Sequence, residues 1–141
     1  KNGRRGLHNC RYWDYKPYVG LGPGAASTAF KDGLVKRFDS KKSVHDYING
    51  PRFGGVACEV LGKDEALEEF VLMGLRYKGG LDLGRLESEF GCKVTPSMLD
   101  GLDGYSVENG CLVPSNDGLL VADHAALEVI NRLSRRLSQQ S

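Results

Sequence analysis

The chain has 141 residues, a formal charge of +1, 26% charged and 40% hydrophobic residues, enough for one ordinary domain or for a small domain with an appended piece. Its balance of 19 basic and 18 acidic side chains gives no electrostatic argument for a nucleic acid or another strongly anionic partner. No apolar stretch approaches the roughly 20 residues needed to cross a bilayer, and the start KNGRRG leads into aromatics and charge rather than an apolar signal core, so a cytoplasmic protein is expected.

The first informative stretch is HNCRYWDYKPYVGLGPGAAS, residues 8–27. Its YVGLG has the alternating, β-prone pattern of a strand that enters a glycine loop. Glycines 20, 22 and 24, followed by Ala25 and Ala26, keep Cβ atoms small or absent. Such a run serves either as a tight turn that packs its strand or as a place where backbone approaches a bulky ligand. It is neither a Walker nor a Rossmann fingerprint, because a proline stands in its middle and no lysine-serine pair follows. The aromatics Tyr12, Trp13, Tyr15 and Tyr18 could stack on a flat ligand or simply pack. His8, an isolated imidazole, is open to surface hydrogen bonding or to metal ligation.

Beyond the loop, STAFKDGLVKRFDS predicts a hairpin turning at Asp32 and Gly33, and SVHDYING a short helix ended by Gly50 and Pro51. The following RFGGVACEV shows no period. Near residue 60 the chain changes character, from glycine- and aromatic-rich sequence to amphipathic runs. This divides it into residues 1–60 and a second domain, 61–141. A helix capped by Asp64 carries Leu67, Phe70, Val71, Gly74 and Leu75 on its inner face until Gly79 and Gly80 stop it. A short helix runs from Asp82 to Gly91, and a third starts at Thr95–Pro96. YSVENGCLV reads as a hairpin turning at Asn109–Gly110. A last helix, capped by Ser115, carries Leu119, Ala122, Ala126, Leu127, Ile130, Leu133 and Leu137 along one stripe.

Three helices, a hairpin and a closing helix make a winged-helix-like domain. Its third helix, PSMLDGLDG, offers aspartates where a groove-reading helix needs lysine or arginine, so nucleic acid is not an expected partner. His45 and His124 fall within helical patterns and read as structural. Cys10, Cys58, Cys92 and Cys111 are scattered, form no CxxC or CxxxCxxC group, and read as reduced structural thiols with no metal site.

The combination of HN, the YW pair and GLGPGAAS with the later EEFVLMGLR and LDLGRLESEFG resembles the C-terminal half of oxygen-independent coproporphyrinogen III oxidase-like radical S-adenosylmethionine (SAM) proteins. Within that HemN/HemW family it is most similar to the HemW haem-chaperone branch. The likeness covers roughly residues 6–130.

The resemblance implies an α/β (α+β) fold: the end of a partial (β/α) radical SAM barrel, followed by the winged-helix-like domain. It implies a [4Fe-4S] cluster and S-adenosylmethionine in the full-length protein, with haem as a further ligand, but no cofactor in this chain, which lacks the CxxxCxxC triplet and is expected to be inert alone. Gly22, Gly24 and Ala25 would then face cofactor, and His8, Tyr12 and Trp13 a tetrapyrrole. The partners expected are the missing N-terminal barrel portion and haem or coproporphyrinogen. A second copy joined through an exposed edge strand is a further expectation. The class that competes with this is a stand-alone winged-helix interaction module.

Overall fold

The computed structural model describes residues 15–31, 34–50 and 56–139. It divides into two compact units, one formed by Lys16–Ala66 and the other by Leu67–Ser141 together with Tyr15.

The first unit is a three-stranded antiparallel sheet in the order β1 (Ala26–Lys31), β2 (Leu34–Asp39), β3 (Val56–Leu61). Lys31 pairs with Leu34, so the expected two-residue hairpin connection is present, although residues 32 and 33 themselves lie outside the described ones. Directly opposed residues share a face in an antiparallel ladder. Phe30, Val35 and Leu61 therefore form one cross-strand row, and Thr28, Arg37 and Glu59 the next. Val35 is buried, and Arg37 Nη1 donates to Glu59 Oε2 at 2.6 Å.

β3 runs through the stretch without a period. Its register shifts between Arg37 and Phe38, which pair with Glu59 and Ala57. A bulge of this kind destroys the period-two signal by which strands are read.

The expected helix α1 (Val44–Asn49) forms, with the Ser43 hydroxyl accepting from Asp46 N and Gly50 closing the far end. YVGLG, by contrast, makes only a single bridge from Tyr18 to Thr28, not a strand. Pro17 supplies no amide donor, and Gly20 N is diverted to the Ser27 hydroxyl, so the ladder ends after one residue pair.

The second unit is built on α2 (Lys63–Leu75) from Leu67 onward, α3 (Leu83–Phe90) and a sheet of order β4 (Leu81–Asp82), β6 (Cys111–Pro114), β5 (Tyr105–Glu108). α2 begins one residue before the expected cap. Gly62 occupies that place, its amide donating to Glu65 Oε2 at 2.9 Å, and Asp64 lies inside the first turn.

Leu67, Phe70, Val71 and Leu75 are buried as expected. Gly74 is there because a Cβ would meet Leu81 Cα at 2.8 Å. α3 has the predicted ends: Asp82 Oδ1 accepts from Arg85 N at 3.0 Å, and Gly91 closes it in the left-handed conformation. Leu86 and Phe90 are its buried residues. Asn109 and Gly110, both at positive φ, turn β5 into β6 as expected.

Two elements differ from expectation. The third helix is a single 3-10 turn, Pro96–Met98, with no side-chain cap on Thr95. Gly101 and Gly104, both at positive φ, set the chain into turns, and Arg132 Nη1 donates to the carbonyls of Met98 and Asp100 at 2.6 and 2.9 Å. The last helix is two: α4 (Asn116–Leu120), capped by Ser115 as expected, and α5 (Ala122–Gln139). The break at Val121 moves the stripe. Ala122, Ala125, Ala126, Val129 and Leu133 are buried, whereas Leu127, about 100° further round the helix than Ala126, is exposed.

Candidate functional site

The glycine loop is a surface turn closed on itself. Gly22 and Gly24 take φ values of 115° and 71°, which side chains disfavour. Gly20 is needed for a different reason: a Cβ there would run into the carbonyl of Ala26.

Each of the four loop amides at 20, 22, 24 and 25 has a protein acceptor. Gly20 N donates to Ser27 Oγ at 3.0 Å, Gly22 N to the Tyr47 hydroxyl at 3.0 Å, and Gly24 N to the Lys41 carbonyl at 3.0 Å. Ala25 N is shared between Ser40 Oγ at 2.8 Å and the Gly22 carbonyl at 3.2 Å. The Ser40 hydroxyl in turn donates to the Gly22 carbonyl, so one side chain ties both ends of the turn.

Sequence reading places Gly22, Gly24 and Ala25 at this site but misses Ser27, Ser40 and Tyr47. Ser40 and Tyr47 lie 15 and 25 residues from their loop partners, and no local spacing reveals them. Among the described residues, no atom beyond Gly22 and its chain neighbours lies within 4 Å of where its Cβ would stand. The Lys42 stem lies beside Gly24, 3.8 Å from the corresponding point. His8, Tyr12 and Trp13 lie outside the described residues.

Tyr15 is buried in the second unit, its ring 5.6 Å from that of Phe70 and its hydroxyl donating to Glu69 at 2.9 Å. Arg85 braces the same place: its guanidinium sits 5.0 Å from the Phe70 ring centre, donates to the Tyr15 carbonyl and pairs with Glu89. This is packing reinforced by a cation, which is the ordinary use of such residues.

The Cys111 and Cys92 thiols and the Tyr105 phenol are held in environments that favour their neutral or buried forms. Burial, helped by Asp82, pushes the Cys111 thiol above its ordinary value, away from the reactive thiolate. Cys92 is buried. Burial, and then Asp123, raises the Tyr105 phenol, whose hydroxyl lies 3.2 and 3.0 Å from the carbonyls of Leu75 and Gly118. Among the described residues, no three His, Cys, Asp or Glu side chains are grouped so as to hold a metal ion. No helix among them is long and apolar enough to cross a membrane. A [4Fe-4S] cluster needs at least three thiolates, and the described side chains bring no such set together.

Comparison with known proteins finds relatives of the chain. Residues 61–127 match the model of the family described as the HemN C-terminal domain. The chain is 34% identical over 91 residues, 64% of its own length and 23% of the relative's, to the heme chaperone HemW of Lactococcus lactis subsp. lactis. It is 30% identical over 118 residues, 82% of its length and 29% of the relative's, to the heme chaperone HemW of Mycobacterium tuberculosis. The mouse protein named radical S-adenosyl methionine domain-containing protein 1, mitochondrial, is 33% identical over 92 residues, 57% of this chain and 20% of that one. The matched part is thus between a fifth and three tenths of these relatives' length. No solved structure matches the chain.

Proposed function

The chain belongs to the HemN/HemW family as part of its C-terminal region, and on that premise we propose that it serves a cytoplasmic radical SAM protein that binds and transfers haem. The observation that carries this reading is the extent of the HemW likeness: an alignment of 118 residues does not fit within residues 61–141, so it reaches into the first unit as well.

In this reading the cluster and its thiolate ligands belong to the rest of the protein, and the described residues contribute contacts to bound cofactor. Gly22, Gly24 and Ala25 present backbone without bulk to S-adenosylmethionine or to the tetrapyrrole. His8, Tyr12 and Trp13 remain the proposed tetrapyrrole contacts.

The second unit is read as a winged-helix-like module with α2 and α3 as its first helices and β5–β6 as its wing. The turn Pro96–Met98 stands where a recognition helix would be, followed by Asp100 and Asp103. That sign and shape favour a role in contacts with protein or cofactor over nucleic acid.

A haem titration of the full-length protein tests the proposal. A saturable shift of the Soret band at one haem per chain is expected. Turnover of coproporphyrinogen without stable haem binding would move the protein to the oxidase branch, and neither result would leave the interaction-module reading.

A further inference from the structure

Of the loop amides at 20, 22, 24 and 25, three give their hydrogen to an acceptor on or beside the sheet: Ser27 in β1, and Ser40 and Lys41 directly after β2. Gly22 alone among them gives its hydrogen to a separate element, through Tyr47 of α1.

That element is weakly held. α1 has six residues and buries none of them; Val44 and Ile48, on one helical face, are 60% and 71% exposed. A helix this short does not persist in water without tertiary support, and apolar burial supplies little here. The Tyr47 hydroxyl is therefore a principal tie between α1 and the loop.

We propose that α1 is a strap latched over the glycine loop by Tyr47, and that a ligand carboxylate opens it by taking the Gly22 N–H from the tyrosine hydroxyl. The amides of 20, 24 and 25 stay bonded to the sheet side, so the opened site offers the Gly22 N–H beside that of exposed Leu21, the freed tyrosine hydroxyl and the neighbouring Lys42 stem with its ammonium group. Together these suit a single carboxylate, held by adjacent N–H groups, a hydroxyl and a cation. The carboxylate could come from the amino-acid end of S-adenosylmethionine or from a tetrapyrrole propionate. This inference rests on the cofactor-facing role given to the loop above.

The test is amide exchange by NMR on the 141-residue chain, in wild type and Tyr47→Phe, followed by separate titrations of the full-length protein with S-adenosylmethionine and with haem. Gly22 and the α1 amides should exchange together and faster than the β1–β2 ladder. Tyr47→Phe should speed Gly22 exchange about fivefold, the worth of one net hydrogen bond, and leave the ladder unchanged. The ligand that uses the site should shift the Gly22 resonance of the wild-type protein, which identifies its source.

Unchanged Gly22 exchange in Tyr47→Phe, or Gly22 exchanging only with the ladder, overturns the latch even if a ligand binds at the loop. A latch that responds to Tyr47→Phe while neither ligand shifts Gly22 overturns the carboxylate opening and the loop's cofactor role together, leaving only the structural tie.

Discussion

The two units are held together by different forces. In the first, the buried apolar side chains among the described residues are Val35 and Ala66, while Val19, Leu21, Val44, Ile48 and Val60 are exposed. Its order comes from directional bonds: the ladders, the Arg37–Glu59 pair, and the hydroxyls of Ser27, Ser40 and Tyr47 on the loop backbone. In the second, α2, α3, α5 and the central strand β6 bury Phe70, Leu75, Leu86, Phe90, Leu112, Val129 and Leu133. Hydrogen bonds fix geometry but add only about 1 kcal/mol each, net. Apolar burial adds more and is shared among many neighbours, which makes a unit cooperative. The first unit is therefore the one that can open locally, and the candidate ligand loop lies in it.

The largest expected effect tests that contrast directly. Leu86→Ala should cost about 3 kcal/mol, and Val35→Ala about half of that, read as denaturation midpoints at constant slope. Equal costs would break the comparison.

A smaller effect sharpens it. Arg132→Met keeps the aliphatic stem but removes the donors to Met98 and Asp100, and should cost about 2 kcal/mol. Arg37→Met, which removes an ion pair at the surface of the first unit, should cost under about 1 kcal/mol.

The smallest effect is one of pH. The hydrogen bond from Arg76 holds the Asp123 carboxyl below its ordinary value of 3.8. The unfolded chain then takes up this proton first as the solution is acidified. The pair's contribution is complete above pH 3.8 and is lost as pH falls through the lower value of the folded state. Wild-type and Asp123→Asn thermal melts should therefore differ slightly at neutral pH and converge in acid.

What the sequence reveals, and what it hides, follows the same division. Caps and turns are local chemistry, so Asp82, Gly91, Ser115, the Asn109–Gly110 turn and the pairing of β1 with β2 are legible from a few residues. β3 is not, because the bulge opposite Arg37–Phe38 breaks its alternation. The split between α4 and α5 is hidden for another reason. It accompanies the close approach of Gly118 to Gly104, from which a Cβ is excluded, and that contact joins residues 14 positions apart. The PSMLDGLDG segment carries apolar residues at helical spacing, but its two glycines at positive φ end any helix early. At the candidate site the glycines announce themselves and their partners do not, since a serine or tyrosine hydroxyl bonding a distant amide has no pattern of its own.

Tyr15 carries a consequence for the order of folding. Its hydroxyl meets Glu69 across 54 positions of chain, so everything from Lys16 to Ala66 is looped out between two parts of one core. Closing a flexible loop costs entropy that grows with the logarithm of its length, and contacts distant in sequence slow folding. When β1, β2 and β3 pair first, the slack chain between Tyr15 and α2 shrinks to what lies outside the sheet, and closure becomes cheaper. With that order, mutations that loosen the ladders of the first unit should delay the docking of Tyr15 before they alter the finished core, which stopped-flow refolding of such variants would read.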